Sequence, residues 1–458
     1  MPPRKNDILK SQEGSALLNV LAVIFILLTI FSAVFAHALN RFSVLKKDIN
    51  MAKARYLSEA GLQRYLSYLD REEIDLTSRN LLEYNIEISD KNNFRLSARL
   101  FGAYLMVRSI GTHKSIADTI YALVGKLPGK EYNFAIINAS SVYPLTLAGR
   151  TKITGDIKMG QGGVTKGEID GQYFQFEDLN EGLILPALDT VNFGLDRDFL
   201  KRYLDEIPNR SDNHDRFIQG SLVLNEKSIE NLKGSSIVLI ENNLEINPDI
   251  PLILDDPITL IAKGSIEIKG TTRLSGPLEI ISSGYINLSE GAVLEGCLLV
   301  AEDSVIVRGG AKYSGQILSS GKITIKDNAR ILHPSLVYSY YPGYSSDERQ
   351  IVFENKSVAE GIVVMDSTLD NNREEYNRIL IEDYAAITGI LQSEECIEMR
   401  GSLFGIAVTS RFLYVKDQSI YVNWLGNAVI DRSKLDFIPI MPVNSTGVDD
   451  YGIFKKYN

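Results

Sequence analysis

The sequence predicts a mainly β protein that begins with one long transmembrane α-helix. After the helix it predicts a small antiparallel β meander and then a right-handed parallel β-helix, which is a solenoid of stacked coils. Three observations lead to this fold class: an unbroken apolar run near the N-terminus, a segment of alternating apolar and polar residues, and apolar residues that recur at steps of 18 to 20 positions. Each pattern is typical of one of the three parts.

Composition narrows the classes of function. The chain has 458 residues and a formal net charge of −10, which argues against nucleic acid as a partner because nucleic-acid binders carry a basic surface. The two cysteines, Cys297 and Cys396, would lie several coils apart at about 4.8 Å per stacked strand, so we expect two free, mostly buried thiols. The histidines show no metal-ligand spacing, so we expect neither a metal nor another cofactor; they are His37, His113, His214 and His333.

The apolar run spans residues 16–39 and is interrupted by Asn19, Thr29, Ser32 and His37. About 20 such residues suffice for a helix to cross a bilayer. Basic residues before the run favour a cytoplasmic N-terminus, with the bulk of the chain in the periplasm or at the cell surface. The run exceeds the apolar core of a secretory signal peptide and ends in a poor cleavage site, so a retained anchor is favoured over a removed signal.

The helical pattern continues beyond the membrane to about residue 70. Ile49, Ala52, Tyr56 and Ala60 recur at three- or four-residue steps and form an apolar stripe. A continuous rod of residues 15–70 would be roughly 80 Å long. The stripe has two interpretations that can hold together: it packs against neighbouring rods, or the helix packs against the chain's own domain.

The N-terminal quarter resembles type IV pilin-like proteins. The short charged leader, the small residues at its end and the apolar run are similar to the class III signal of those proteins. The segment YLSEAGLQRYLSYL, residues 56–69, is similar to the "AEAGL" segment of PilX-type minor pilins. The resemblance implies a leader at residues 1–14 and a prepilin peptidase that cuts between Gly14 and Ser15. Asn19 stands at the fifth mature position, where most major pilins have a glutamate that pairs with a neighbour's N-terminal amine; some minor pilins lack it.

The resemblance also implies the partners. Other pilin-like subunits would pack on residues 16–39 and on the stripe of Ile49, Ala52 and Tyr56, and inner-membrane lipid would surround the rod before assembly. A rod that is apolar on all sides is physically compatible with both environments.

The alternating segment lies within residues 71–130. Between residues 81 and 127 apolar and polar residues alternate, and turn residues stand at 90–93, at Gly102 and at Gly111. We expect three or four antiparallel strands that pack on the long helix.

The repeats identify the solenoid, which we expect to span residues 131–440. Three apolar columns recur, the first at steps of 20, 20 and 19 and the others at steps of 20, 19 and 18: Ile258, Leu278, Leu298 and Ile317; Ile266, Ile286, Val305 and Ile323; Leu274, Leu294, Tyr313 and Ile331. Glycines mark one corner, at Gly276, Gly296 and Gly315. The hairpins of a β-sandwich, the alternative, would not keep three columns at one shared period.

Two interruptions and a tail complete this part. We expect an inserted helix at about residues 195–207, with Leu195, Phe199, Tyr203 and Ile207 on one face, and a polar loop at about residues 366–378. Each is either a binding insertion or a cap over the coil. Residues 441–458 are expected to form a C-terminal tail.

The sequence offers little evidence of catalysis. Its acidic pairs are Asp255 with Asp256, Glu302 with Asp303, and Glu394 with Glu395. Adjacent residues of a strand point to opposite faces and do not converge unless a turn bends them. No catalytic motif is present, and the glycine-rich residues 160–164 lack the lysine of a phosphate loop. A sugar-stacking surface of Trp424, Tyr340, Tyr341 and Tyr344 is one interpretation of these aromatic residues, and core packing is the other.

The sequence therefore predicts a structural, non-enzymatic, membrane-anchored pilin-like protein that displays a β-helix. It would be a minor subunit or assembly factor of a type IV pilus or a related secretion fibre. The alternative is a membrane-tethered adhesin or carbohydrate-binding β-helix without fibre assembly, for which a surface polysaccharide is the candidate partner. A polysaccharide-active enzyme is a third class, and it would require converging charged side chains in a groove along the coil.

Overall fold

The computed structural model describes most of the chain. The described residues are 6–69, 82–89, 92–138, 143–186, 203–204, 207–208, 211–232, 235–248, 250–270, 272–340, 350–354, 356–366, 377–417, 419–443, 445 and 450–457; the side chains of residues 6–16 lie outside the description. Residues 367–376 of the expected loop and most of the helix expected at residues 195–207 also lie outside it. Tyr203, from the predicted face of that helix, is helical and buried.

The helices described over their full length are α1 (Asn6–Leu69) and α2 (Glu226–Leu232), with 3-10 turns at Lys130–Asn133 and Arg432–Lys434. The strands, numbered β1 to β36 in chain order, are Leu82–Ser89, Asn92–Phe101, Tyr104–His113, Ile116–Lys126, Ile136–Asn138, Leu145–Ala148, Lys152–Thr154, Ile157–Met159, Val164–Lys166, Glu168–Ile169, Gln172–Tyr173, Ile184–Pro186, Arg216–Ile218, Leu222–Leu224, Ile237–Ile240, Leu244–Ile246, Leu252–Ile253, Ile258–Ala262, Ile266–Ile268, Arg273–Ser275, Leu278–Ser282, Ile286–Leu288, Val293–Ala301, Ser304–Val307, Lys312–Ser319, Lys322–Ile325, Arg330–Ser339, Gln350–Phe353, Val358–Met365, Arg378–Ile381, Ala386–Met399, Ser402–Lys416, Ser419–Val422, Trp424–Gly426, Val429–Asp431 and Tyr451–Tyr457.

The predicted rod is confirmed as a single helix. α1 runs without a break through 64 residues, which corresponds to about 96 Å at 1.5 Å per residue. No proline occurs between residues 6 and 69, so nothing removes a backbone hydrogen bond from its interior.

The chain divides into two compact units. The first contains Met1–Gln63, Glu83–Leu96 and Ser109–Thr119, and the second contains Arg64–Leu82, Ser97–Arg108 and Ile120–Asn458.

In the first unit, α1 packs closely on the strands. Ser58 is fully buried; its hydroxyl donates to Asp118 Oδ2 (3.0 Å), and its carbonyl accepts from Ser109 Oγ (2.7 Å). A Cβ atom on Gly111 would lie 2.2 Å from the carbonyl oxygen of Ala54, so only glycine permits this approach. The expected packing of the helix on the β segment is therefore present.

The second unit contains the solenoid, whose strands stack in three parallel columns. Column A includes β18, β21, β23 and β25; column B includes β19, β22, β24 and β26; column C includes β20 and the first halves of β23, β25 and β27. Branched aliphatic side chains from all three columns fill one continuous core. The predicted parallel β-helix, as a fold class, is confirmed.

The predicted columns can be compared with the strand pairing. The second and third columns are confirmed residue by residue. The first column is wrong after Leu278: it slips by one position at Leu298, which pairs with Glu279, and by one more at Ile317, which pairs with Leu299. The inward row of column A is instead Leu260, Ile280, Leu299 and Ile317, at the same steps of 20, 19 and 18.

The coils do not stack in simple chain order. The strand β32, near the C-terminal end of the repeats, pairs in parallel with β5, and β5 pairs with β8, which pairs with β12. The coils of residues 136–186 therefore extend the stack beyond the last coil rather than before the first. The sequence shows the turns and the alternating polarity of these coils, but not their position in the stack.

The small sheet contains a strand from the C-terminal segment. Its order is β1, β2, β3, β4 and β36, and β36 (Tyr451–Tyr457) runs antiparallel to β4. Within the second unit, side chains from this sheet and from the outer face of column A form a second hydrophobic core, which includes Phe101, Tyr104, Leu298 and Leu336. Column A strands are thus buried on both faces.

Candidate assembly surface on the N-terminal helix

The first part of α1 is an exposed apolar surface. Every described residue from 17 to 49 is exposed, including aliphatic and aromatic side chains such as Leu21, Phe25, Leu28 and Phe35. This helix is the one candidate membrane span among the described residues, and none of its most apolar stretch is buried. Exposed apolar surfaces of this size are rare in soluble monomeric proteins.

The predicted packing stripe lies on a different face from the one that contacts the strands. Ile49 and Tyr56 are 48% and 70% exposed, and Ala52 is also exposed. Ala54, Ser58 and Leu62 are among the buried residues on this part of α1, as the strand contacts require. Both interpretations of the helix therefore have a physical basis, because one face packs on the strands and the stripe stays free.

The remaining predicted positions on α1 are placed by the backbone. Gly14 and Ser15 lie within the helix, but the positions of their side chains are outside the description. Asn19 is exposed in the apolar run and has no partner among the described hydrogen bonds. Cleavage and helix packing at these residues remain predictions.

The acidic pairs occupy separate coils. Asp255 and Asp256 precede β18, Glu302 and Asp303 lie between β23 and β24, and Glu394 and Glu395 lie within β31. Asp256 accepts a hydrogen bond from the Tyr121 hydroxyl (2.9 Å), which with burial raises the pKa of Tyr121 to about 12. Among the described residues, no three His, Cys, Asp or Glu side chains form a metal-binding group.

Two fully buried carboxylates escaped the sequence analysis. Glu398 lies 3.0 Å from Arg378 Nη1 and also pairs with Arg400. Glu279 accepts from the Thr259 hydroxyl (2.6 Å) and lies 3.9 Å from Arg99 Nη2. Each carboxylate is compensated by a guanidinium group, as buried charge requires. Arg400 is only two residues from Glu398, but Arg378 lies on the neighbouring strand β30 and Arg99 lies on β2, so no local sequence signal brings these partners together.

The aromatic residues of the suggested sugar surface are not together. Tyr340 is buried in the second core, and Tyr341 and Tyr344 lie outside the described residues. Trp424 is partly exposed on β34, in the three-stranded sheet with β6 and β9, and its ring centroid lies 5.6 Å from that of Tyr421. The predicted grouping of Tyr340 with Trp424 is therefore wrong, since a buried ring offers no face to a ligand.

Comparison with known proteins gives only distant structural likenesses. No protein-family model matches the chain, and no curated protein does. The competence-associated pilin ComZ from Thermus thermophilus is similar with 11% identity and a TM-score of 0.19, over 89% of this chain and 97% of ComZ. An ice binding protein from an Antarctic Flavobacteriaceae bacterium is similar with 9% identity and a TM-score of 0.13, over 68% of this chain and 97% of that one. Similarity at this level supports no argument about this chain.

The chain's own geometry is therefore the basis for its function. Its most distinctive feature among the described residues is the exposed apolar part of α1, which leads without a break into the free stripe of Ile49, Ala52 and Tyr56.

Proposed function

We propose that the chain is a structural, non-enzymatic, pilin-like protein. It is a minor subunit or assembly component of a type IV pilus or a related secretion fibre. Residues 16–39 hold it in the membrane, and the solenoid lies outside the cytoplasm.

One observation carries this proposal: α1 exposes apolar side chains on all sides from residue 17 to 49, and the exposed stripe continues to Tyr56 although Ala54 and Ser58 are buried against the strands. Burial of each leucine, isoleucine, valine or phenylalanine of this run contributes roughly 1.5–3 kcal/mol, so the helix requires an apolar environment. A bilayer provides it for residues 16–39. It does not reach the stripe, which a neighbouring helix would cover.

The mature N-terminus tests the fibre assignment. We expect a chain coexpressed with a prepilin peptidase to begin at Ser15, and a Gly14→Val variant to keep its leader. A wild-type chain that begins at Met1 under the same conditions favours a plain membrane anchor with no fibre.

Cross-linking in membranes tests the stripe. The native cysteines are buried, so a cysteine introduced by Tyr56→Cys is the accessible thiol and should give dimers with a short bis-maleimide. Arg55→Cys is the matched control, because position 55 is exposed but lies about 100° round the helix. Equal dimer yields from the two variants would contradict a specific role of the stripe.

A further inference from the structure

Three aromatic side chains on β32, β33 and β34 form a surface cluster, which we name the aromatic patch: Tyr414, Tyr421 and Trp424. Tyr414 and Tyr421 are directly opposite in the antiparallel pairing of β32 with β33, and their ring centroids are 6.2 Å apart. Tyr421 is 5.6 Å from Trp424, and all three side chains are partly exposed. Both ring contacts are edge-to-face, with interplanar angles of 67° and 61°.

The two outer rings of the patch lie on glycine backbone. A Cβ on Gly167 would be 2.7 Å from Cζ3 of Trp424, and a Cβ on Gly426 would be 2.7 Å from Cε2 of Tyr414. Each of these two rings therefore packs with one edge against the sheet.

The backbone before Trp424 is rigid. Asn423 is fully buried at φ +64°, and its side chain donates to the Tyr143 carbonyl (2.8 Å) and accepts from Asn138 Nδ2 (2.9 Å). The Asn423 carbonyl also accepts from the Thr146 amide (2.9 Å). Because this segment is already held in place, binding of a ligand costs less conformational entropy.

Polar groups lie at both ends of the patch. Thr146 pairs in register with Trp424 and Thr165 pairs with Thr146; the two hydroxyl oxygens are 3.3 Å apart. At the other end, Lys416 follows Tyr414 by two residues and forms an ion pair with Asp170, which raises the pKa of Lys416. Thr146 itself is buried, so the patch combines partly exposed rings with the exposed Thr165 side chain and a charge-balanced ion pair.

We propose that the aromatic patch binds a neutral, β-linked pyranose glycan. The C–H faces of a pyranose with equatorial substituents are flat and apolar, and they stack on aromatic rings, while its hydroxyl groups bond to polar side chains at the edge. The balanced Lys416–Asp170 pair and the net charge of −10 disfavour an acidic glycan. This binding goes beyond the proposed function and does not depend on fibre assembly.

The chain supplies its own probe for the test, because Trp424 is its only tryptophan. Full-length protein in detergent micelles is titrated with cellohexaose and with chitohexaose, and the tryptophan emission is recorded. We expect a saturable change with at least one of them. Tyr421→Ala should weaken binding about tenfold, whereas Tyr384→Ala, which removes an 80% exposed tyrosine elsewhere on the solenoid, should leave it unchanged.

Calorimetry with Trp424→Ala and with Tyr421→Leu completes the test, and the thermal midpoint of each variant shows whether it folds. Tyr421→Leu keeps apolar bulk but no ring, so it too should bind about tenfold more weakly. The proposal is overturned if neither oligosaccharide binds the wild-type chain, or if Tyr421→Ala and Tyr384→Ala bind alike. An intact N-terminus in the fibre test would leave these binding results unaffected.

Discussion

Gln316 connects the small sheet to the solenoid, and its removal allows a quantitative prediction. Its side chain is fully buried on the outer face of column A. Nε2 donates to the Phe101 carbonyl (2.9 Å), and Oε1 accepts from the Ala103 amide (2.9 Å). These backbone groups flank Gly102, at the turn between β2 and β3, and Gln316 satisfies both.

Gln316→Leu should leave both backbone groups buried without these hydrogen bonds. Each unsatisfied group costs about 1–3 kcal/mol, so we expect the free energy of unfolding to fall by roughly 2–6 kcal/mol. Urea unfolding of the detergent-solubilised chain measures the loss, and hydrogen exchange should show faster exchange of the Ala103 amide. Thr324→Val is the matched control, because the Thr324 hydroxyl makes no hydrogen bond among the described residues; its effect should stay within about 0.5 kcal/mol.

Gln316→Glu adds a pH signature to this prediction. A protonated carboxyl group can replace both hydrogen bonds, but a carboxylate opposes the Phe101 carbonyl oxygen. Burial raises the folded-state pKa of such a group above its unfolded value of about 4.3. The variant should therefore approach wild-type stability below about pH 4.3 and lose stability as pH rises through the folded-state pKa. If Gln316→Leu and Gln316→Glu were both as stable as Thr324→Val at every pH, the proposed role of Gln316 would be refuted.

Three further predictions follow from burial and geometry. Leu28→Asp should release the chain from membranes on ultracentrifugation, because a carboxylate at mid-bilayer costs about 2.5–3.5 kcal/mol; normal retention would contradict the placement of the anchor. Gly389→Ala should lower the thermal midpoint far more than Gly310→Ala. A Cβ atom at position 389 would lie 1.7 Å from a carbonyl oxygen of the preceding coil, whereas a Cβ atom at position 310 would have no atom within 4 Å. Burial raises the pKa of the Cys297 thiol to about 12. The stability that the protonated thiol contributes is therefore complete below the unfolded-state pKa near 8.5–9 and is lost as the pH rises toward 12. Neither Cys297 nor Cys396 should react with a maleimide at pH 7 until the chain is unfolded.

The sequence alone determined the elements whose signals are local or periodic. The apolar run and the absence of proline specify α1, because a helix depends on neighbours three and four residues away. The columns of Ile266 and Leu274 were predicted in register because columns B and C bury one face, so inward and outward residues differ in polarity.

Column A shows where sequence reasoning fails. Leu298 and Leu299 are both fully buried, one in the second core and one in the solenoid core. A strand buried on both faces has no alternation of polarity, so its register is ambiguous by one residue. The fit of column A against the small sheet resolves that ambiguity.

Only the tertiary structure decided which distant segments meet. The pairing of β32 with β5, the addition of β36 to the small sheet and the Gln316 contacts join residues more than 200 positions apart in the chain. The aromatic patch likewise depends on Gly167 lying beneath Trp424. Contacts of this kind leave no periodic trace in a single sequence, because they depend on how complete coils stack and not on the spacing of residues within one coil.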